Sequence, residues 1–527
     1  MFGSTMCVRS AHNIFDPALT DSLEKNNLSL MLQRRTHPYN SPDEIIRKET
    51  SSQMTKLIVG NVFTMLSQPT EAALHTVYDC LSYKMENFDI IKKRLVKQNP
   101  RLRHWDGTKS FYDTRNRRFL SGFLPRVADA LRKDGVPFEI SYDEQRVMAN
   151  WFTKDIPQLK GITLRDYQER AIIDFFTARR GVAKLATGAG KTEIAIAVTA
   201  KAAVPTIFLT HRVNLLYQTA KRFANRLPHM ANQIGIIGNG QFSPNNITIA
   251  TVQTIQAMMK KDKKATEELL SNFQLLIIDE AHRSGSPQFY EAAIACKNAM
   301  LRLALTATPF MKGNCEDDMY LEGISGNILT NVAAKELIDA GVLARPFFRF
   351  IPVNTPLERK LTHWRDIYEH GIVKNMARNK LIVTNALKMV EMGKKTLIIV
   401  QEVKHGKIIE RVLHDMGVNA SYVDGQNSYA ERERALKQLE KGKLDVIITT
   451  SIFDEGIDVG EIGAVILAAG NKSAPALFQR TGRAIRRKED ENFAIIIDFI
   501  DNHHQKLLAH SLRRYELIKN EPGFTIL

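Results

Sequence analysis

The run Ala186-Thr187-Gly188-Ala189-Gly190-Lys191-Thr192 joins two glycines to a lysine and a hydroxyl. That composition suits a loop that cradles phosphates. Glycines let successive backbone N–H groups turn toward an anion. The helical run that follows, 193–201, offers a positive N-terminus. Lys191 would reach the terminal phosphates, and Thr192 would present its hydroxyl to Mg²⁺. The first position of the GxxxxGKT pattern is Leu185 instead of Gly. A second run, Leu275-Leu276-Ile277-Ile278-Asp279-Glu280-Ala281-His282, places two carboxylates after four apolar residues. This predicts a buried strand with its acids at the C-terminal end, where doubly wound sheets bind ligands. Asp279 would hold Mg²⁺ through water, and Glu280 would orient and deprotonate the attacking water.

These groups need a scaffold. Short apolar runs alternate with amphipathic stretches, predicting strands at 181–185, 206–209, 248–250, 275–278 and 301–305. After a connector at 341–345 the alternation resumes, with strands at 396–400, 420–423, 445–449, 464–467 and 493–497. Two such series predict two parallel-sheet α/β lobes, over 151–345 and 346–527. Upstream, 54–150 reads as a small α/β accessory domain. Its strands are expected at 55–60, 110–113 and 137–141. One helix starts from Thr70 as N-cap, with Leu74, Val77 and Leu81 on one face. Another runs from Leu124 to Lys133 and is stopped by Asp134-Gly135. Residues 1–53 are polar, carry turn signals and read as a leader.

A chain of 527 residues is too long for one core and suggests about three domains. Lysine plus arginine number 73 against 57 acids, a net charge of +16. Such a balance favours a polyanionic partner through counterion release. No run of 18 apolar residues is present, so no membrane span is expected. The N-terminus lacks the order of a signal peptide. The four cysteines, Cys7, Cys80, Cys296 and Cys315, form no CxxC pair and no zinc spacing. They read as reduced thiols of a cytoplasmic protein.

The phosphate loop and the Asp-Glu-Ala-His run lie about 90 residues apart. Their order and spacing resemble the superfamily 2 helicases of the DEAH-bearing kind, with a match from about 162 to 500. That resemblance implies two RecA-like lobes in tandem that close on ATP and Mg²⁺, with His282 in the catalytic group. Leu164-Arg165-Asp166-Tyr167-Gln168 resembles the family's adenine-recognition motif, in which Gln168 would read the adenine edge and Arg165 or Tyr167 would flank the ring. Thr210-His211-Arg212 and Thr251-Val252-Gln253-Thr254 resemble the motifs that touch the nucleic-acid backbone, contacts that position a strand without reading its sequence. Thr306-Ala307-Thr308-Pro309 resembles the coupling motif. In the second series, the segment 449–458 resembles the motif that faces both ATP and nucleic acid. There Thr450 would meet a strand phosphate, and Gly456 and Asp458 would lie on the ATP side. The segment 479–486 resembles the arginine-finger motif. Gln479 would serve coupling, and Arg483 and Arg486 fall on one side of a helical turn. Their guanidinium groups suit the transferring phosphoryl.

The segment 99–113 contains Arg101, Arg103, Trp105, Gly107, Lys109 and Tyr112, and Phe119-Leu120-Ser121-Gly122-Phe123-Leu124 follows. It resembles the N-terminal domain of UvsW-type phage helicases. That resemblance implies an ATP-driven motor on branched DNA, performing fork regression, Holliday-junction branch migration or D-loop unwinding. Between 92 and 118, ten lysines and arginines interleave with Trp105, Phe111 and Tyr112. Arg101 and Arg103 would neutralise phosphates, and Trp105 would stack on an unpaired base. The other reading makes Trp105 and Tyr112 core residues of a small domain, with the arginines outside. Three alternatives for the motor stay open: a double-strand translocase without strand separation, an RNA helicase, and an ATP-switched nucleic-acid clamp. The expected form is a monomer or weak oligomer in the cytoplasm, that of the bacterial host if phage-encoded.

Overall fold

The computed structural model describes residues 54–85, 103–142, 155–283, 287–307, 315–356, 361–450, 462–471 and 492–527, with a few isolated residues between 88 and 99 and at 309. Among these, three sheets organise the chain.

The N-terminal body carries β1 (Thr55–Val59), β2 (Phe63–Ser67), α1 (Glu71–Cys80), β3 (Ser82–Lys84), β4 (Thr108–Ser110), β5 (Arg118–Leu120), α2 (Leu124–Lys133) and β6 (Phe138–Tyr142). Its main sheet runs β5-β2-β1-β6, and β3 and β4 form a separate two-stranded antiparallel sheet. Strand β1 alternates, sending Leu57 and Val59 inward. Thr70 caps α1 by accepting from the Ala73 N–H. Helix α2 turns Val127, Ala128 and Leu131 to the same core.

The next body contains α3 (Asp166–Ala178), β7 (Arg180–Leu185), α4 (Lys191–Ala202), β8 (Thr206–Thr210), α5 (Val213–Arg226), β9 (Ile234–Gly238), β10 (Gln241–Ser243), β11 (Ile247–Thr251), α6 (Val252–Lys261), α7 (Lys263–Ser271), β12 (Leu275–Asp279), α8 (Pro287–Ala295), β13 (Leu301–Thr306), α9 (Cys315–Ser325), β14 (Ile328–Val332) and α10 (Ala334–Asp339). Its eight-stranded sheet runs β10-β9-β11-β8-β12-β13-β7-β14. The pairings are parallel except that of β10 with β9. Helices cover both faces, so the central strands read as unbroken apolar runs.

The last body contains β15 (Arg345–Val353), α11 (Trp364–Tyr368), α12 (Met376–Glu391), β16 (Thr396–Ile399), α13 (Val403–Asp415), β17 (Ala420–Val423), α14 (Tyr429–Glu440), β18 (Val446–Thr449), β19 (Ala464–Leu467), β20 (Phe493–Asp501), α15 (Gln505–Lys519) and β21 (Thr525–Ile526). Its parallel sheet runs β17-β18-β16-β19-β20-β15-β21. Two fully buried ion pairs sit at the end of β20. Arg378 Nε donates to Asp501 Oδ1 at 2.8 Å, and Arg514 grips Asp498 at 2.8 and 2.9 Å. Both arginines also donate to backbone carbonyls at the exit of β19, those of Ala468 and Asn471. Charges taken out of water in this way must be paired, and here the pairs fix the path of that exit.

The architecture is the α/β class with two parallel-sheet lobes expected above. The predicted strands fall within or beside those observed. Strands β2, β3, β5, β9, β10, β14, β15 and β21 were not expected. Strand β15 contains Pro346 and Pro352, which discourage a strand reading. It tolerates them because β21 pairs only with Phe347 and Phe348, leaving each proline next to an open edge.

The N-terminal body is seated on α9. Arg126 forms a two-point bridge to Glu322, Nε to Oε1 at 2.8 Å and Nη2 to Oε2 at 2.5 Å. Lys109 Nζ meets Glu316 at 3.0 Å. Phe111 packs edge-on against Tyr320 at 4.8 Å. Met319 is buried in the N-terminal core, while Leu321 and Ile324 are buried in the sheet core beneath. Helix α9 is therefore apolar on two sides and shared by both bodies. At Gly122 the backbones nearly touch, and an added Cβ would run into the Glu322 and Gly323 carbonyls. Gly122→Ala is expected to cost about 1–3 kcal/mol through this clash. A urea unfolding midpoint equal to wild type would contradict the docking.

Candidate functional site

Strand β7 lies between β13 and β14 and delivers its last residue, Leu185, at the sheet's C-terminal edge. The loop beyond is pinned by the Ala186 N–H, which donates to the Val332 carbonyl at 3.1 Å. Gly188 and Gly190 take φ of +92° and +80°, a left-handed backbone that favours glycine. A side chain would also not fit, since a Cβ at Gly188 would lie 2.7 Å from Leu343 Cδ2. Gly190 caps α4, so Lys191 and Thr192 open that helix with their N–H groups unclaimed by an earlier turn. Glu193 in the same turn would repel an anion there. Arg226 Nε binds it at 3.0 Å, and Arg222 approaches at 3.9 Å. That pair cancels the opposing charge.

The loop is braced from behind by the segment 165–168. Its Ala189 carbonyl accepts from Tyr167 Oη at 3.0 Å and from Gln168 Nε2 at 2.9 Å. Gln168 Oε1 accepts from the Arg165 N–H at 3.0 Å. Both ends of the Gln168 amide are thus occupied, and the residue is buried. Each end still has one further position, a second N–H on Nε2 and a second lone pair on Oε1, the groups an adenine edge would use.

Asp279 stands at the end of β12, with its neighbour β13 ending one residue further along at Thr306. Glu280 adopts φ of +50°, unusual for a residue with a Cβ. That turn is held by its own N–H donating to Asp279 Oδ1 at 3.0 Å. Glu280 Oε2 lies 3.3 Å from His282 Nδ1, which in turn lies 3.3 Å from Thr306 Oγ1. The Asp-Glu-Ala-His run and the coupling threonine therefore form one contact chain. Burial, then the neighbouring Glu280 charge, push the Asp279 carboxyl up to about 6. Burial opposes the charged form of Glu280 too, but Lys191 and the His282 hydrogen bond outweigh it and hold that carboxyl well below the usual range. Two half-buried carboxylates facing one lysine leave an excess of negative charge. A divalent cation carried with a triphosphate would offset it. Among the described residues, no cluster of three or more His, Cys, Asp or Glu could hold a metal unaided.

The backbone-contact motifs occupy the same edge. Thr210 and Thr251 end β8 and β11, which pair in register. Gln253 Nε2 donates to the His211 carbonyl at 2.9 Å, linking the two motifs. The Thr251 and Thr254 hydroxyls bond each other at 2.8 Å. Thr251 is buried, while Gln253 is exposed and Arg212 half-buried. In the last body, Thr450 follows β18 and its carbonyl accepts from Thr449 Oγ1 at 3.1 Å. In the N-terminal body, Arg103 is exposed. Trp105 is half-buried, its Nε1 donating to the Thr108 carbonyl at 2.7 Å and its ring edge-on to Phe88 at 5.2 Å. Tyr112 is buried in the core, which rules out a stacking role for it. Arg101, Thr308, Gly456, Asp458, Gln479, Arg483 and Arg486 lie outside the described residues. The Arg226–Glu193 pair and the Leu343 contact had no sequence signal, because their partners are 33 and 155 residues apart.

Residues 161–311 match the family model "Type III restriction enzyme, res subunit". Residues 378–488 match the "Helicase conserved C-terminal domain". The chain belongs to the superfamily 2 helicases. It is accordingly an ATP-dependent helicase or translocase. The DNA 3'-5' translocase XPB2 of Sulfurisphaera tokodaii is 27% identical over 64% of this chain and 82% of its own. The ATP-dependent DNA helicase uvsW of Enterobacteria phage T4 is a homologue, 24% identical over 82% of this chain and 88% of its own. A Vibrio vulnificus fragment assigned as the HsdR subunit of a type I restriction enzyme shares the fold, with TM-score 0.53, 18% identity and coverage of 84% of this chain and 82% of that one. In this helicase, Arg226→Ala is expected to raise the KM for ATP several-fold with little change in kcat, since the freed Glu193 then opposes phosphate at α4. Steady-state ATPase kinetics measure both, and an unchanged KM would dismiss the electrostatic account.

Proposed function

We propose that this helicase is a DNA-dependent ATPase that moves on branched DNA, driving fork regression, Holliday-junction migration or D-loop unwinding. The observation that carries the reading is the firm seating of a basic N-terminal body on α9. That helix also packs on the strands bearing the phosphate loop and the coupling threonine. A DNA-binding domain in that position would move with the ATP lobe as one piece. The net charge of +16 favours a polyanion. The alignment with phage T4 uvsW spans 458 residues, more than the two motor lobes alone require. The names of that relative and of XPB2 supply DNA as the substrate class.

In this reading Lys191, the loop N–H groups and Thr192 bind the phosphates. Asp279 holds Mg²⁺, which supplies charge neutralisation at the phosphoryl group when bound. Glu280 orients the attacking water, and His282 carries its state to Thr306. Arg483 and Arg486 arrive from the second lobe. Arg212, Gln253 and Thr450 track the strand, while Arg103 meets phosphates beyond the motor.

The test is ATPase rate against single-stranded, duplex, forked and four-way DNA, together with junction movement. Stimulation greatest on forked or four-way DNA is expected. Equal rates on plain duplex, with no strand release, would favour a double-strand translocase. Glu280→Gln should retain ATP binding and lose turnover by about 10²–10⁴. Wild-type turnover in that variant would remove Glu280 from the reaction. A pH dependence follows from Asp279, whose carboxyl is pushed up to about 6. Its charged form is lost as pH falls through that value. The Mg²⁺ concentration for half-maximal ATPase should therefore be flat above pH 7 and climb toward tenfold per unit below pH 6. A flat requirement down to pH 5 would contradict this.

A further inference from the structure

Strands β9 and β10 form a hairpin at the open edge of the first lobe's sheet. Its turn is Asn239-Gly240, with φ of +51° and +80°. Two consecutive left-handed residues make the tight hairpin turn whose twist suits the flanking strands. Strand β9 runs parallel to β11, with Ile237 opposite Ala250. The turn therefore emerges at the same edge as Thr210, Thr251 and Asp279. Gly238, just before the turn, is seated on motif residues of that edge. A Cβ there would lie 2.8 Å from Leu216 Cδ2 and 3.0 Å from Thr251 Oγ1.

Two aromatic rings flank this turn in solvent. Phe242 is 62% exposed, and Tyr217 of α5 is 38% exposed. Asn239 Nδ2 donates to Tyr217 Oη at 3.2 Å, which fixes the turn against α5. Phe242 is the cross-strand partner of Ile237, so its ring lies on that residue's face. Ile237 is buried with Val252 and Ile255 of α6, the helix whose first turn carries Gln253 and Thr254. Strand spacing sets Phe242 two strands from Ala250, about 10 Å away. A rigid hairpin with a ring this exposed gains nothing for the core.

We propose that this hairpin is a base-stacking station for the nucleic-acid strand, with Phe242 and Tyr217 taking bases beside the backbone contacts of Arg212 and Gln253. Aromatic faces accept any base, provided it is unpaired. The occupant is the single strand that continues across the edge formed by the two backbone motifs, so the proposal rests on the function proposed above. The hairpin contributes no group to the ATP site.

The experiment compares wild type, Phe242→Ala, Phe242→Trp and Tyr217→Ala. Binding is read with a fluorescein-labelled single-stranded oligodeoxynucleotide, and ATPase with and without that strand. Phe242→Ala and Tyr217→Ala should each bind roughly tenfold more weakly. Phe242→Trp should bind as wild type, and ATPase without DNA should be unchanged in all. Wild-type affinity in both alanine variants would overturn the station while leaving the motor reading intact. Loss in Phe242→Trp equal to that in Phe242→Ala would also overturn it, since a larger ring should stack. A wild-type ATPase that no nucleic acid stimulates would overturn the motor reading and the station together.

Discussion

Everything in the first lobe depends on the parallel alignment of its central strands. Parallel strands in register end together, so β7, β8, β11, β12 and β13 deliver the phosphate loop, Thr210, Thr251, Asp279 and Thr306 to one edge. The crossover helices required between such strands cover both faces and exclude water from the sheet. Only the strand ends remain available for polar chemistry. An ATP site and a strand-binding site built on one such edge are neighbours by construction. The contact chain from Glu280 through His282 to Thr306 is short for that reason.

A second constraint acts through α9. It follows β13 in sequence and is buried on two sides, by the sheet core and by the N-terminal body. A helix apolar on two sides cannot face water, so the N-terminal body completes the lobe's surface. Gly122 permits the close approach, and the bridge from Arg126 to Glu322 fixes orientation. Glu322 is nearly buried, which strengthens its charge-assisted bond relative to an exposed pair.

The second lobe meets a different demand. The exit of β19 precedes the segment that carries Gln479, Arg483 and Arg486 in sequence. Arg378 and Arg514, each buried and each paired with an aspartate of β20, donate to carbonyls of that exit. Burying four charges is costly unless their geometry is fixed, and the fixed geometry gives the backbone a defined departure point. The connector enters the same economy, because Leu343 lies over Gly188 of the phosphate loop.

The sequence by itself determined the class of the fold and singled out the residues proposed for the ATP site. Apolar periodicity located ten of the lobe strands described, and residue type and spacing singled out Gly188, Gly190, Lys191, Asp279 and Glu280. These signals are local, carried within a strand and the turn after it. What the sequence left undecided is non-local. It gave no sign that the Gln168 amide would brace the carbonyl of Ala189, a residue 21 positions away. It left Tyr112 open between core and surface, and gave no hint that Arg226 would neutralise Glu193. Hairpin β9–β10 was invisible because its short strands carry no alternating pattern of their own. Its exposed ring acquires meaning only beside β11. Such pairings are chosen by packing across the whole sheet, and no run of neighbouring residues encodes them.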